Sequence, residues 1–176
     1  MSNEGETCMP IDVHFDPKTN LALCGGQSMV FHCHFYNCAL QEAIERGLGA
    51  DARRVQMLAA QEVARSQLGK LAPASTPPKG VLDLAAGLFK EFGFGILDFS
   101  AIGPRGGSVI VSNSHYAMGW VATRGERAEP VCDFVSGFIA GVLVAAFGTP
   151  AERVFVREIK CLGCGADHCK FDTEVL

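Results

Sequence analysis

The sequence predicts one α+β domain in which N-terminal helices pack on an antiparallel sheet that is interrupted by one buried helix. Apolar residues that repeat every four positions from residue 36 onward indicate helices in the first half of the chain. Two strand-like runs, ILDFSAI and SVIVSNS, are joined by GPRGG, which is a strong hairpin signal. The stretch FVSGFIAGVLVAAFG is apolar on all sides, as expected of a buried helix.

The first half of the chain is predicted to contain a hairpin and three helices. The apolar runs IDVHF and LALCG flank the turn formers of DPKTN within residues 11–25, which indicates a small hairpin. The period of four over 36–48 predicts a first helix, and a second follows over about 51–69. After the proline-rich linker 71–80, VLDLAAGLFKEFGFG predicts a third, amphipathic helix.

The second half is predicted to hold the sheet and the buried helix. Residues 115–130 show no clean period, so we expect a long loop there. A buried helix is predicted from Val131 to Phe147, and the strands VFVREIK and CKFDTEV then form a last hairpin. We assign residues 1–35 to an N-terminal extension with the small hairpin and residues 36–176 to one domain.

Composition and charge narrow the classes of function. At 176 residues and 48% hydrophobic content the chain can bury a core without disulfides. The net charge of −4 offers no track for a phosphate backbone, so no nucleic-acid partner is expected. The longest apolar stretch, 134–148, is shorter than the roughly 20 residues that a membrane span needs. The first twenty residues carry no secretory signal, so we expect a cytoplasmic protein whose eight cysteines are reduced.

The turn CLGCGADHC places three thiols and one imidazole within nine positions. Cys161, Cys164, His168 and Cys169 could form a zinc ribbon by themselves, because structural zinc takes four ligands from Cys and His. His168 and Cys169 are adjacent, however, and adjacent side chains at the start of a strand point to opposite faces. One of these two side chains is therefore expected to face away from a metal.

The segments VCDFVSGFIAGVL and VREIKCLGCGADHCKF resemble the 4-vinyl-reductase-type hydrocarbon-binding domain family, which also provides the effector-sensor domain of phenol- and xylene-responsive activators. In that family a cysteine at the start of the buried helix and a later E-x2-C-x7-C pattern hold a zinc ion. The resemblance implies a zinc-clasped C-terminal hairpin with a structural Zn²⁺ on four ligands: Cys132, Glu158, Cys161 and Cys169. Cys164 or His168 in place of Glu158 remains an alternative. Such a closed site leaves no position at which water is activated.

FHCHFYNC, residues 31–38, is a second group of chemically active side chains. In an extended segment His32, His34 and Tyr36 share one face, whereas in a helix His34 and Cys38 do. Either arrangement can bind a second metal at His32 and His34 or present an acid and a base to a ligand. The candidate catalytic residues are therefore His32, Cys33, His34 and Tyr36. A polar helix start without a chemical role is the alternative.

The stretch HYAMGW supplies candidates for ligand binding by residue type. An aromatic wall with one imidazole suits a small aromatic molecule that is held by stacking and one polar contact. The candidates are His115, Tyr116 and Trp120, together with Cys38 from the neighbouring motif. Packing in the core is the alternative for each of them.

Two functions compete for this chain. The first is a zinc-containing protein that binds a small hydrophobic or aromatic molecule, as the resemblance implies, and that forms a homodimer as related domains do. The second is an enzyme on the same scaffold, a hydrolase or a metal-dependent enzyme, that uses the cluster of His32, Cys33, His34 and Tyr36. Neither a GxGxxG pattern nor a P-loop is present, so a nucleotide cofactor is not expected.

Overall fold

A computed structural model describes residues 13–24, 26–30 and 32–176, and within them the predicted mixture of helices and antiparallel sheet is confirmed. The helices are α1 (His34–Leu48), α2 (Ala52–Leu71), α3 (Pro78–Glu91), α4 (His115–Arg124) and α5 (Asp133–Phe147). The strands are β1 (Val13–Asp16), β2 (Leu21–Cys24), β3 (Gln27–Met29), β4 (Ile96–Gly103), β5 (Gly106–Ser112), β6 (Val154–Lys160) and β7 (Cys169–Val175).

The N-terminal strands form a small antiparallel sheet in the order β1-β2-β3. Its first turn is closed by the carboxylate of Asp16, which accepts hydrogen bonds from the Lys18 amide at 2.9 Å and the Thr19 hydroxyl at 2.7 Å. Asn20 completes the turn with φ 57°, a conformation that asparagine tolerates better than most residues. Residues 11, 12 and 25 of the predicted hairpin lie outside the described residues, and the boundary at residue 36 stays a prediction.

The larger sheet has the order β4-β5-β7-β6, with every neighbouring pair antiparallel. Alternate side chains on its inner face are buried: Leu97, Phe99, Val109, Val111, Val154, Phe171 and Thr173. This alternation is typical of an antiparallel sheet with one face on the core and one in solvent. Gly107 lets β4 and β5 approach closely, because a Cβ there would overlap the backbone of Ala101.

Helix α5 lies between the inner face of the sheet and the helix α2, so the sequence-based arrangement needs one refinement. Helix α3 contacts both β4 and α5, whereas α2 packs along α5 and reaches the sheet chiefly through it. Twelve of the fifteen residues of α5 are buried, which explains its apolar character on all sides. In the described part of the chain, no helix has both the length and the apolar character that crossing a bilayer requires.

The prediction of a long loop over 115–130 is wrong, because its first ten residues form α4. Ser114 begins this helix, and its hydroxyl accepts a hydrogen bond from the Ala117 amide at 3.4 Å. Ala117 and Trp120 are buried, and the Arg124 guanidinium pairs with Glu42 of α1 at 2.7 Å. The helix therefore depends on a cap and on contacts with α1, and neither produces an apolar period in the sequence.

Candidate metal centre and ligand cavity

Cys132, Glu158, Cys161 and Cys169 lie together where α5 begins and the chain turns from β6 to β7. Their candidate ligand atoms, three Sγ atoms and one carboxylate oxygen, all lie within 4.8 Å of one another. The Sγ atoms of Cys132 and Cys169 are 3.7 Å apart. The structure thus brings together the four residues named from the E-x2-C-x7-C pattern, and the group could hold a metal ion.

Local backbone features direct these side chains toward one point. Cys132 is the N-cap residue of α5, and Cys169 is the first residue of β7. The pairing of β6 with β7 shifts register between Glu158 and Lys160, which turns the chain before it reaches Cys161. Gly163 keeps the following turn close to the cluster, because a Cβ there would lie 2.8 Å from Val131 Cγ1 and 3.3 Å from the Cys161 sulfur.

The electrostatics of the cluster fit a cation. Burial, reinforced by the charge of Cys161, raises the pKa of Glu158 to about 8. Its Oε2 accepts a hydrogen bond from the Cys132 amide at 3.1 Å, whereas its buried Oε1 has no hydrogen-bond partner among the described residues. Hydrogen bonds from the thiols of Cys132 and Cys169 lower the pKa of Cys161. An unpartnered buried carboxylate oxygen beside several sulfurs costs free energy that a bound cation would remove.

The two other candidates from the same turn lie outside this four-residue group. Cys164 ends a short 3-10 turn and is half-buried. The Nδ1 atom of His168 lies 2.7 Å from the carboxylate of Asp167, and its ring is partly exposed. Cys169, next in sequence, is fully buried, so the two adjacent side chains point in different directions.

A cavity of about 300 Å³ lies beside the start of α4. Its walls come from five separate parts of the chain: residues 29–32, α1, the segment between α3 and β4, α4 and α5. The aromatic part of the wall consists of Phe92, Phe94, His115, Tyr116 and Phe134. The cavity therefore contains two of the predicted ligand-binding residues, His115 and Tyr116.

The aromatic rings of the cavity pack on one another in preferred geometries. The ring centroids of Phe94 and Phe134 are 4.8 Å apart, and those of Tyr116 and Phe134 are 5.0 Å apart with an interplanar angle of 28°. His115 meets Tyr116 edge-on at 5.5 Å. Such pairs stabilise their own arrangement, so they form a wall that keeps its shape around a flat guest.

A polar pair lies within this apolar wall. The Asn37 amide donates from Nδ2 to Nε2 of His115 at 2.9 Å, so the proton of the neutral His115 ring is on Nδ1. His34 stacks on His115 at 4.1 Å and donates from its own Nδ1 to the His115 carbonyl at 3.0 Å. Burial, and then the nearby His34, lower the pKa of His115, which keeps its ring neutral at physiological pH.

The predicted catalytic residues are divided by the structure. His32 lines the cavity, and its ring contacts Tyr36 at 4.5 Å between centroids. His34 is used by its contacts with His115, while Cys33 and Tyr36 are exposed to solvent. Among the described residues, no group of three or more metal-ligating side chains includes His32 or His34, so the structure gives the predicted second metal no third ligand.

Two of the predicted ligand-binding residues lie away from the cavity lining. Trp120 lies one turn further along α4, where the guanidinium groups of Arg124 and Arg127 stand 5.1 and 4.6 Å from its ring centroid. Cys38 is buried, and this burial raises the pKa of its thiol. Residue type alone grouped both with His115, whereas the direction of each side chain on its helix separates them.

Sequence reasoning missed Asn37 as a binding residue and treated Phe94 and Phe134 as core. Asn37 lies one position before Cys38 and three after His34, so it was within the singled-out motif. Only its 2.9 Å contact with His115, a residue 78 positions away, distinguishes it from an ordinary helix-start asparagine. No local signal in the sequence reports such a contact.

Comparisons with known proteins agree with this architecture. The family model of the vinyl-4-reductase domain matches residues 110–175. MJ1460, an uncharacterized protein of Methanocaldococcus jannaschii, is 27% identical over 104 residues, which are 55% of this chain and 56% of that protein. The chain thus spans little more than half the length of this relative.

Two solved structures share the fold. The phenol-responsive sensory domain of the transcription activator PoxR, solved with phenol, has a TM-score of 0.75 and 21% identity, covering 93% of this chain and 84% of that one. A vinyl-4-reductase family protein from Methanocaldococcus jannaschii has a TM-score of 0.53 and 24% identity, covering 81% and 78%. The resemblance inferred from the cysteine and glutamate spacing is confirmed, and residues 110–175 of this chain belong to the vinyl-4-reductase domain family.

Proposed function

We propose that this protein binds a small aromatic molecule in the cavity beside α4 and that a structural zinc ion stabilises the domain around it. The observation that carries the proposal is the convergence of five aromatic rings and one polar pair, Asn37 and His115, on a cavity of about 300 Å³. Cavities that are mostly apolar with a few convergent polar groups are typical ligand sites. The PoxR sensory domain, whose fold this chain shares, was solved with phenol.

The chemistry of the donor set supports zinc at the cluster. Three thiolates and one carboxylate complete the tetrahedral shell that Zn²⁺ prefers, and soft sulfur ligands favour zinc over magnesium or calcium. Zinc bound there would supply a rigid link between the start of α5 and the β6–β7 hairpin. A reducing cytoplasm would keep the three thiols available for the metal.

Within the cavity, the expected ligand is a flat ring with one hydroxyl group. The rings of Phe94, Tyr116 and Phe134 offer faces and edges on which an aromatic ring can pack. The side-chain carbonyl of Asn37 can accept a hydrogen bond from the hydroxyl, while its amide stays bonded to His115. One polar contact inside an apolar wall then orients the ligand.

Replacing His115 by Ala is expected to weaken the binding of phenol about tenfold, because it removes both an edge of the wall and the partner that holds Asn37 in place. Isothermal titration calorimetry with phenol measures the change. Met118→Ala is the matched control, since Met118 is on the same helix but 43% exposed. Absence of phenol binding to the unmodified protein would contradict the proposal.

The enzyme alternative rests on His32, which lines the same cavity. A reaction there would use His32 as acid or base, with Cys33, His34 and Tyr36 nearby. Elemental analysis of protein purified without added metal discriminates between the two functions. One zinc per chain that survives the double substitution His32→Ala, His34→Ala favours the binding protein, whereas loss of a second metal favours the enzyme.

We propose further that the protein is a homodimer that pairs through its N-terminal region. Phe15, Val30 and Phe35 are exposed there by 57%, 74% and 73%. Association through this region would remove apolar surface from water. Sedimentation velocity measures the mass in solution, and a monomer at all concentrations would contradict the dimer.

A further inference from the structure

We infer that Ser114 is a positioning residue that couples the metal cluster to the ligand cavity through its contact with Cys132. The inference rests on the proposed function, because it concerns how a bound aromatic molecule and a bound metal influence each other. Ser114 is fully buried and lies between the end of β5 and the first residue of α4. Its hydroxyl is the contact between the two sites.

The hydroxyl of Ser114 has two partners with different requirements. It accepts a hydrogen bond from the Ala117 amide at 3.4 Å, so it caps α4. Its Oγ is also 3.3 Å from the sulfur of Cys132, which caps α5. A cysteine sulfur that ligates a metal carries no proton and can only accept, so the Ser114 proton points to sulfur when the metal is bound.

Both helices that meet at this contact contribute to the cavity wall. His115 and Tyr116 follow Ser114 directly, and the His115 amide donates to the Phe94 carbonyl at 2.9 Å. Phe134 comes two residues after Cys132 and also lines the cavity. The Ser114–Cys132 hydrogen bond therefore fixes the relative position of two walls, and one of its partners is a candidate metal ligand.

This connection predicts positive coupling between the two ligands. An aromatic molecule that packs against His115, Tyr116 and Phe134 favours one arrangement of the two helix starts. A metal held by Cys132 favours the same arrangement, because Ser114 bonds the ligating sulfur in it. By reciprocity, each ligand slows the loss of the other when it shifts the equilibrium toward the shared arrangement.

The test measures zinc transfer from the zinc-loaded full chain to a chromogenic chelator, with and without saturating phenol. In the unmodified protein we expect phenol to slow the transfer about fivefold, the lower end of typical coupling between sites. In Ser114→Ala the two rates should be equal, although phenol still binds. Ser114→Thr keeps the hydroxyl and should restore the difference. Ser112→Ala removes an exposed serine hydroxyl two positions earlier and should behave as the unmodified protein does.

A second readout separates positioning from simple stabilisation. In cobalt-substituted protein, the thiolate-to-cobalt charge-transfer band reports the hydrogen bonding of the ligating sulfurs. Ser114→Ala should move this band to lower energy, because a sulfur that loses a hydrogen bond donates electrons more readily. A lost helix cap alone would lower the thermal stability and leave the band in place.

The outcomes distinguish the inference from the proposed function. If phenol binds and slows zinc transfer equally in the unmodified protein and in Ser114→Ala, the coupling role is overturned while the proposed function stands. A cobalt band that does not move in Ser114→Ala overturns the contact with the ligating sulfur, whether or not phenol binds. If phenol binds none of these proteins, the proposed function and the coupling fall together.

Discussion

Replacing Cys169 by Ser is expected to remove the bound metal and to cost most of the folding stability of the domain. Cys169 is fully buried at the start of β7, 3.7 Å from the Cys132 sulfur, and the Leu162 amide donates to its own sulfur at 3.3 Å. A serine hydroxyl is a much weaker zinc ligand than a thiolate. Structural zinc contributes about 10–16 kcal/mol of apparent binding free energy in small zinc domains, and that energy is coupled to folding.

Elemental analysis and thermal unfolding followed by circular dichroism measure the two effects. The unmodified protein should carry one zinc per chain, and Cys169→Ser should carry none and unfold at a much lower temperature. A domain of ordinary stability, about 5–15 kcal/mol, does not tolerate the loss of such a term. A folded, fully zinc-loaded Cys169→Ser protein would refute the assignment of this residue.

Cys164→Ser is the matched control for this prediction. Cys164 is in the same turn, but it is half-buried and lies outside the group of four candidate ligands. Its substitution should leave the zinc content and the unfolding temperature unchanged. If Cys164→Ser lost its zinc while Glu158→Gln kept it, Cys164 would replace Glu158 as the fourth ligand.

The sequence predicts most elements of this fold because their signals are local. The alternation in SVIVSNS and the apolar character of FVSGFIAGVLVAAFG follow from burial on one face or on all faces. Helix α4 has no such signal, because the Ser114 cap and the Arg124–Glu42 ion pair form only after the chain has folded. Third-strand pairing in the small N-terminal sheet is likewise a contact that no period in the sequence announces.

The two halves of the candidate site differ in the same way. The residues Glu158, Cys161 and Cys169 follow one another within a hairpin, so their spacing alone indicates that they meet, and the family resemblance adds Cys132. The cavity instead joins Asn37, Phe94 and Phe134, which come from distant segments and have no spacing in common. Residue type could nominate His115, but it could not tell which way Trp120 points.

Replacing Gly137 by Ala is expected to destabilise the protein by roughly 2 kcal/mol, although alanine is the better helix former by about 1 kcal/mol. Gly137 is buried on α5 where α2 crosses it. A Cβ at this position would lie 2.7 Å from the Cα atom and 2.8 Å from the carbonyl carbon of Met57. These are backbone atoms, which cannot rotate aside as a flexible side chain can, so α2 itself must move.

Gly69→Ala is the control of opposite sign. Gly69 is on α2, and a Cβ there meets no atom of the described residues within 4 Å. Only the helix propensity changes at this position, so the free energy of unfolding should rise by about 0.5–1 kcal/mol. Urea unfolding of both variants measures the pair. Equal changes in stability would contradict the close approach of α2 and α5.

The Gly137 variant also tests whether the helix packing supports the cavity. Gly137 lies one turn after Phe134, so an α5 that tilts away from α2 carries this wall residue with it. We therefore expect Gly137→Ala to weaken phenol binding as well, and Gly69→Ala to leave it unchanged. A loss of stability with unchanged phenol affinity would mean that α2 alone shifts and that the start of α5 is held in place by Cys132 and its metal.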